Sequence, residues 1–243
     1  MMKKRNFIIT FILTLFCQVS MLLAGQPAEN DSLSNKEKNL VRIAAITASG
    51  DLTKLKDALN NGLDDGLTIN QIKEGIIHLY AYAGFPRSIR GLQTLMAVLE
   101  ERKAKGINDQ TGADASPVRN DQTKYERGKA ILEQLTGVPE KDPKTGYAAF
   151  APTIEVFLKE HLFADIFERD VLSFKDRELV TVSVLSTIGG VEPMLQSHLK
   201  ICLNVGLTPA QLHQFVAIIG STIGKKESVA TDKVLNEVLN NKK

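Results

Sequence analysis

Cysteine is scarce in this sequence. Cys17 and Cys202 are the two cysteines among 243 residues. Cys17 lies in an N-terminal segment that has the features of a removable leader, so a processed chain would keep Cys202 alone. A single thiol excludes both a disulfide and a redox pair within the mature chain.

The first 25 residues follow the pattern of a secretory signal peptide. Residues 3–5 are basic, an apolar run extends over about residues 7–16, and small residues lie near Ala24. The apolar run is short for a membrane-spanning helix, and no cysteine marks a lipid anchor. We expect an exported, periplasmic protein; the alternative is an uncleaved N-terminal anchor.

Neither sign of charge predominates. The 30 Lys and Arg residues are balanced by 28 Asp and Glu residues, and loss of the three basic residues of the leader would leave 27 against 28. The remaining basic residues are scattered. Such a chain has no electrostatic footprint for nucleic acid or an anionic membrane, so neither is expected as a stable partner.

Strand patterning is lacking as well. No stretch sustains an alternation of apolar and polar residues, whereas helical periodicity extends from Ser34 to Lys105, which predicts an all-α fold. Residues 106–120 lack apolar character and contain several Gly, Asp and Asn residues, which marks a linker. The linker separates a first domain, residues 33–105, from a second, residues 121–241. The second domain begins with helices predicted over about residues 121–135 and 152–163.

An internal repeat relates the two domains. Residues 33–41 align with residues 172–180, and each segment has a Ser-x-x-acid pattern ahead of an apolar run, which is typical of a capping box. Gly50 then aligns with Gly189. After a shift of one residue, 66–71 align with 206–211. The repeat is too long for a short-period solenoid and predicts two tandem four-helix bundles.

Residues 189–220 form the most informative stretch. Two glycines precede a helix that begins near Pro193 and ends near Val205, and Thr208 opens the next helix with a second kind of capping box. One stripe of the first helix is predicted to face inward: Met194, His198, Ile201 and Val205. His198 is therefore an ionisable group on an apolar face, with Cys202 one turn further along.

Other chemical motifs are missing. His161 and His213 have no metal-ligand spacing with each other or with a cysteine. No phosphate-binding glycine loop and no Ser-His-Asp arrangement stands out. We therefore expect no metal site.

Two stretches of the second domain, residues 177–182 and 197–208, resemble the carboxymuconolactone decarboxylase family, and residues 80–88 are similar to the end of that family's third helix. The resemblance implies helical bundles of the alkylhydroperoxidase D-like type. Family members usually form homo-oligomers, and a duplicated chain would fit a trimer.

One branch of this superfamily consists of thiol-dependent alkyl hydroperoxidases. Its Cys-x-x-Cys motif would fall on Val191 and Met194, whereas His198 and Glu178 match the His and Glu that accompany the motif. Peroxidase chemistry of this kind needs an attacking and a resolving thiol. The substitutions disfavour a peroxidase, which stays an alternative only if Cys202 partners a cysteine of another chain.

The decarboxylase branch needs no thiol and no cofactor. By this resemblance the substrate is a carboxylated lactone, and loss of carbon dioxide leaves an anion that must be protonated. His198 is the predicted proton-transfer residue, because an imidazole titrates near neutral pH. Glu178 is predicted to orient it, Glu192 is a second carboxylate near the pocket, and Cys202 lines the pocket or fills the core.

The first domain lacks this pair, since Asn39 and Leu59 occupy the Glu178 and His198 positions. It has instead one helical face with three polar residues, Glu74, His78 and Tyr82, followed by Arg87. We hypothesise that His78, Tyr82 and Arg87 complete a substrate site on the second domain, with Arg87 as an anion clamp. The alternative is that the rings fill the core and Arg87 is solvated. A non-catalytic binding module remains the third functional hypothesis.

Overall fold

A computed structural model describes residues 31–118 and 121–241. Over these residues the chain forms eleven α-helices and one π-helical segment, and it contains no strand. The all-α prediction is therefore confirmed for this part of the chain. The first four helices are α1 (Asn35–Ser49), α2 (Leu52–Asp64), α3 (Ile69–His78) and α4 (Tyr80–Ala104). The others are α5 (Lys124–Thr136), α6 (Gly146–Phe150), α7 (Pro152–Phe157), the π-helical segment (Leu158–Phe167), α8 (Phe174–Ile188), α9 (Glu192–Asn204), α10 (Pro209–Thr222) and α11 (Lys225–Asn240).

The predicted capping boxes are present. At Ser34, Ser173 and Thr208 the side-chain oxygen accepts from the backbone N–H three residues on, and the acid or amide there returns to the cap. Thr68 does the same at the start of α3. These contacts satisfy N–H groups that have no partner within the helix, which is why the helices begin where they do.

Helices α1 and α8 pack against each other at the centre. Each of them contributes side chains to two hydrophobic cores. Three residues in α1 or just before it lie in the core formed by α8–α11. Likewise, three residues in α8 or just before it lie in the core formed by α1–α4. The two sets share an offset of 139 residues: Leu33 with Leu172, Val41 with Val180, and Ala45 with Val184. The residues that each helix contributes to the other core therefore occupy equivalent positions in the predicted repeat. The duplication itself stays a prediction.

Residues 106–118, within the predicted linker, form no helix and lie against the start of α3. The backbone N–H of Ile69 donates to the Gln110 carbonyl, and that of Asn70 to the Thr111 carbonyl, both at 2.9 Å. Gly112 makes this close approach possible, because a Cβ on it would lie 2.2 Å from the Thr68 hydroxyl oxygen. The segment is therefore hydrogen-bonded to the first four helices.

The helix predicted over residues 152–163 continues to Phe167, with its second part wound as a π-helix. Helix α5 packs directly on this segment, and Gly128 marks the contact, because a Cβ there would lie 1.9 Å from the Lys159 carbonyl oxygen. The Lys159 side chain is buried and pairs with Glu140 and Glu155. The π-helical segment carries Phe167 into the interior, where it contacts the site described next.

The predicted signal peptide, residues 1–25, lies outside the described residues. Among the described helices, none combines the length and the apolar composition that a membrane crossing requires.

Candidate functional site

The centre of the candidate site is a hydrogen-bonded pair. His198 on α9 places its Nδ1 atom 2.8 Å from Oε2 of Glu178 on α8. Glu178 is fully buried, and the His198 side chain is 14% exposed. Because a carboxylate only accepts, Nδ1 carries a proton and Nε2 is left for a ligand. The structure thus brings together the two residues that were predicted to act together.

The predicted inward stripe of α9 is confirmed at Ile201, but elsewhere the buried face is shifted by about one position. The side chains that this helix buries are Leu195, Leu199, Ile201 and Cys202, whereas Met194 is 50% exposed. His198 lies at the edge of the buried face, beside Glu178. This edge position keeps the imidazole oriented by a buried carboxylate and still within reach of solvent.

Cys202 lies wholly inside the core. Burial raises the pKa of its thiol well above the usual value, and the negative charge of Glu178 raises it further. A thiol held protonated in this way is a poor nucleophile. The arrangement agrees with Cys202 as a small core residue and disfavours thiol-based peroxidase chemistry.

Tyr82 of α4, which lies in the predicted first repeat, also contributes to the site. Its ring meets the His198 ring edge-on, with centroids 5.7 Å apart and planes at 85°. The hydroxyl group is shielded from solvent and has no hydrogen-bond partner of normal geometry in the described part of the chain; the same holds for Oε1 of Glu178. Burial and the charge of Glu178 raise the pKa of Tyr82, so its hydroxyl stays protonated.

Glu74 and His78 lie deeper and are already engaged. Glu74 accepts from Arg177 at 2.9 Å and from Arg169 at 2.8 and 3.1 Å. His78 contacts Arg177 through Nδ1 at 3.4 Å and Thr181 through Nε2 at 2.8 Å. Burial, then the charges of Arg177 and His198, hold the pKa of His78 well below its usual range. Both predicted residues therefore serve a network behind the site.

Sequence reasoning gave no role to Arg169, Arg177 or Thr181. One signal was available in the sequence, because the stretch from Leu179 to Ile188 contains no charge. In the structure every residue from 177 to 186 is buried. A helix of that composition is enclosed on all sides. Arg177, at its start, must then find a partner within the core.

Arg87 and Glu192 have other partners. The guanidinium of Arg87, an exposed residue, lies directly over Gly50 at the end of α1, where a Cβ would be 1.6 Å from its Nη1 atom. Glu192 is also exposed, accepts from the Gly190 N–H at 3.3 Å, and lines a small hollow with Ser186 and Thr231. None of these contacts of Arg87 and Glu192 involves His198. They do not support Arg87 as an anion clamp.

The remaining imidazoles pair with surface carboxylates. His161 lies 3.2 Å from Asp165, and His213 lies 3.8 Å from Asp232. Within residues 31–118 and 121–241, no three His, Cys, Asp or Glu side chains are grouped as metal ligands would be.

Fold and site together define a class: an all-α protein in which a buried carboxylate orients an imidazole at the edge of the core. Comparison with known proteins makes this specific. Residues 152–237, a segment that contains Glu178 and His198, match the profile of the carboxymuconolactone decarboxylase family. Over 120 residues the chain is 25% identical to the 4-carboxymuconolactone decarboxylase of Acinetobacter baylyi (strain ATCC 33305 / BD413 / ADP1), which covers 49% of this chain and 89% of the relative.

Proposed function

We propose that this protein is a cofactor-independent decarboxylase or lactone-processing enzyme in which His198 transfers the proton. The observation that carries the proposal is the 2.8 Å contact between His198 Nδ1 and the buried Glu178 carboxylate. That contact leaves Nε2 as the reactive atom. The name of the Acinetobacter relative supplies the substrate class, a carboxylated lactone.

The proposed reaction begins with the substrate carboxylate. The bond between that group and the ring carbon breaks, carbon dioxide leaves, and the electron pair stays on the unsaturated lactone as a delocalised anion. Protonated His198 then gives its Nε2 proton to this anion, and a proton from water restores the imidazolium. Glu178 stabilises the imidazolium through the Nδ1–H bond. General acid catalysis of this kind contributes about 10²–10⁴-fold to a rate.

The test is carbon dioxide release from 4-carboxymuconolactone. We expect turnover by the wild type and a loss of about 10²–10⁴-fold for His198→Gln, because the proton donor is removed. Glu178→Gln should also lower the rate, since a neutral amide stabilises an imidazolium less well. His213→Gln is the matched control, because it removes a half-exposed imidazole that also faces a carboxylate. Wild-type activity in His198→Gln would contradict the proposal, and a wild type without turnover would favour a binding module.

We further propose that copies of the chain associate. Large apolar side chains are exposed on α4 and from α6 to α7, among them Phe150 at 91% and Phe85 at 63%. A cluster of large exposed apolar side chains is typical of an interaction site. Light scattering during gel filtration tests this, with a trimer as the expected species, and a monomeric mass would contradict it.

Export is proposed on the sequence of residues 1–25 alone. N-terminal sequencing of the protein from a periplasmic fraction should find a chain that begins near residue 26. An intact N-terminus in the cytoplasmic fraction would contradict export.

A further inference from the structure

A chain of buried polar groups crosses between the first and second domains behind Tyr82. Arg177 donates to Glu74 at 2.9 Å and approaches Nδ1 of His78 at 3.4 Å. Nε2 of His78 lies 2.8 Å from Oγ1 of Thr181. Arg177, His78 and Thr181 are fully buried. None of these groups takes part in the proton transfer proposed above.

The donors and acceptors in this chain allow one assignment. A guanidinium only donates, so Nδ1 of His78 accepts from Arg177 and the ring proton is on Nε2. Nε2–H then donates to the Thr181 oxygen, and the Thr181 hydroxyl donates to the Arg177 carbonyl at 3.0 Å. A second proton on Nδ1 would point at the N–H groups of Arg177. The network therefore fixes His78 as one neutral tautomer.

A row of rings continues from His78 to the site. Phe167 meets His78 edge-on with centroids 4.8 Å apart, and the centroid of the Tyr82 ring lies 5.6 Å from that of His78. The Tyr82 ring in turn meets His198 at 5.7 Å. Because His78 is held at both ring nitrogens, its position constrains Tyr82, and Tyr82 constrains one face of His198.

We infer that Arg177 and His78 are positioning residues for the His198 site. Arg177 sets the tautomer of His78, the His78–Thr181 hydrogen bond joins α3 to α8, and the Tyr82 ring is thereby held against the imidazole of His198. The placement is argued from contacts alone, whereas its effect on turnover rests on the proposed function. A misplacement of about 1 Å at a reacting group can lower a rate by about 100-fold.

The experiment compares two variants of the full chain. His78→Gln keeps a donor at the position of Nε2, whereas His78→Leu keeps an apolar side chain and loses every hydrogen bond. The first readout is the NMR shift of the His198 ring protons, which depends on the ring current of the neighbouring Tyr82, with assignment from the signals lost in His198→Gln. We expect His78→Leu to shift these signals and to lower kcat about 10- to 100-fold with little change in KM. We expect His78→Gln to behave much like the wild type in both readouts, and His213→Leu, at a half-exposed imidazole, to change neither.

Unshifted His198 signals in a folded His78→Leu protein would overturn the inference. If that variant does not fold by circular dichroism, His78→Phe keeps an aromatic ring at this position and loses the hydrogen bonds of both ring nitrogens. The same displacement of the His198 signals is expected there, and a wild-type spectrum would overturn the inference. If neither the wild type nor any variant turns over the substrate, the proposed function is refuted. The NMR shifts would still decide whether His78 positions Tyr82.

Discussion

Replacing Glu74 with glutamine should strongly destabilise the protein. Glu74 is almost fully buried and is the carboxylate that accepts from both Arg177 and Arg169. Arg177 is itself fully buried. The amide would leave this guanidinium inside the core without a counter-charge, and breaking a buried pair from one side costs about 3–5 kcal/mol. For a chain of this size the midpoint of thermal unfolding should fall by about 6–20 °C.

Urea unfolding followed by far-UV circular dichroism measures this loss, since the chain contains no tryptophan to serve as a fluorescent probe. Glu101→Gln is the matched control, because Glu101 forms an ion pair at 2.6 Å with Lys56 on the surface, and exposed pairs contribute little. A free energy of unfolding for Glu74→Gln that equals that of the control would show that the buried network does not form.

The pH dependence of the free energy of unfolding tests the same ion pairs of Glu74. Burial alone would raise the pKa of Glu74, but the hydrogen bonds from Arg169 and Arg177 outweigh it and lower the pKa below the usual 4.5. A carboxyl group with a lowered pKa stabilises the fold above its unfolded-state pKa and loses that contribution as the pH falls through its folded-state pKa. The difference between wild type and Glu74→Gln should therefore be full near pH 7 and shrink in acid below about pH 4.5. A difference that stays constant into acid would contradict the assignment of the charge to Glu74.

Two further predictions concern the core. Cys202 should not react with a thiol reagent in the native Cys17→Ser protein at pH 8 and should react fully in urea, because its thiol is buried and protonated; rapid native labelling would contradict this. Gly75→Ala should stabilise the protein or leave it unchanged, since a Cβ there makes ordinary contacts at 3.6 Å or more and alanine favours a helix by about 1 kcal/mol. Gly128→Ala should instead cost about 1–3 kcal/mol, because its Cβ would overlap the Lys159 carbonyl; equal thermal midpoints of the two variants would refute the packing between α5 and the π-helical segment.

The helix starts could be predicted because caps are local. Ser34, Ser173 and Thr208 each satisfy backbone N–H groups within three residues, so the pattern is complete in a short stretch of sequence. The turn of α9 that faces the core was harder to place. Helix α9 packs against helices on several sides, including α5, α8 and α11, and this distribution of neighbours buries Leu199 while it leaves Met194 exposed.

Only the part of the candidate site that lies on the helix pair α8 and α9 could be predicted from the sequence. The resemblance placed His198 and Glu178 together, and the structure has them in contact. The role of Arg177 depends on Glu74, which is 103 residues away in the chain, and no local pattern reports such a partner. Arg87 illustrates the converse, because a basic residue beside an aromatic stretch favours an anion site by sequence, yet its guanidinium packs over a glycine on another helix.

The central claim is that His198 delivers a proton to a ligand anion, and turnover of 4-carboxymuconolactone in D₂O tests it most directly. We predict a product with one deuterium at a single prochiral position from the wild type, and a loss of turnover of about 10²–10⁴-fold in His198→Gln. Product formed by His198→Gln at the wild-type rate, with the same single deuterium, would contradict the claim.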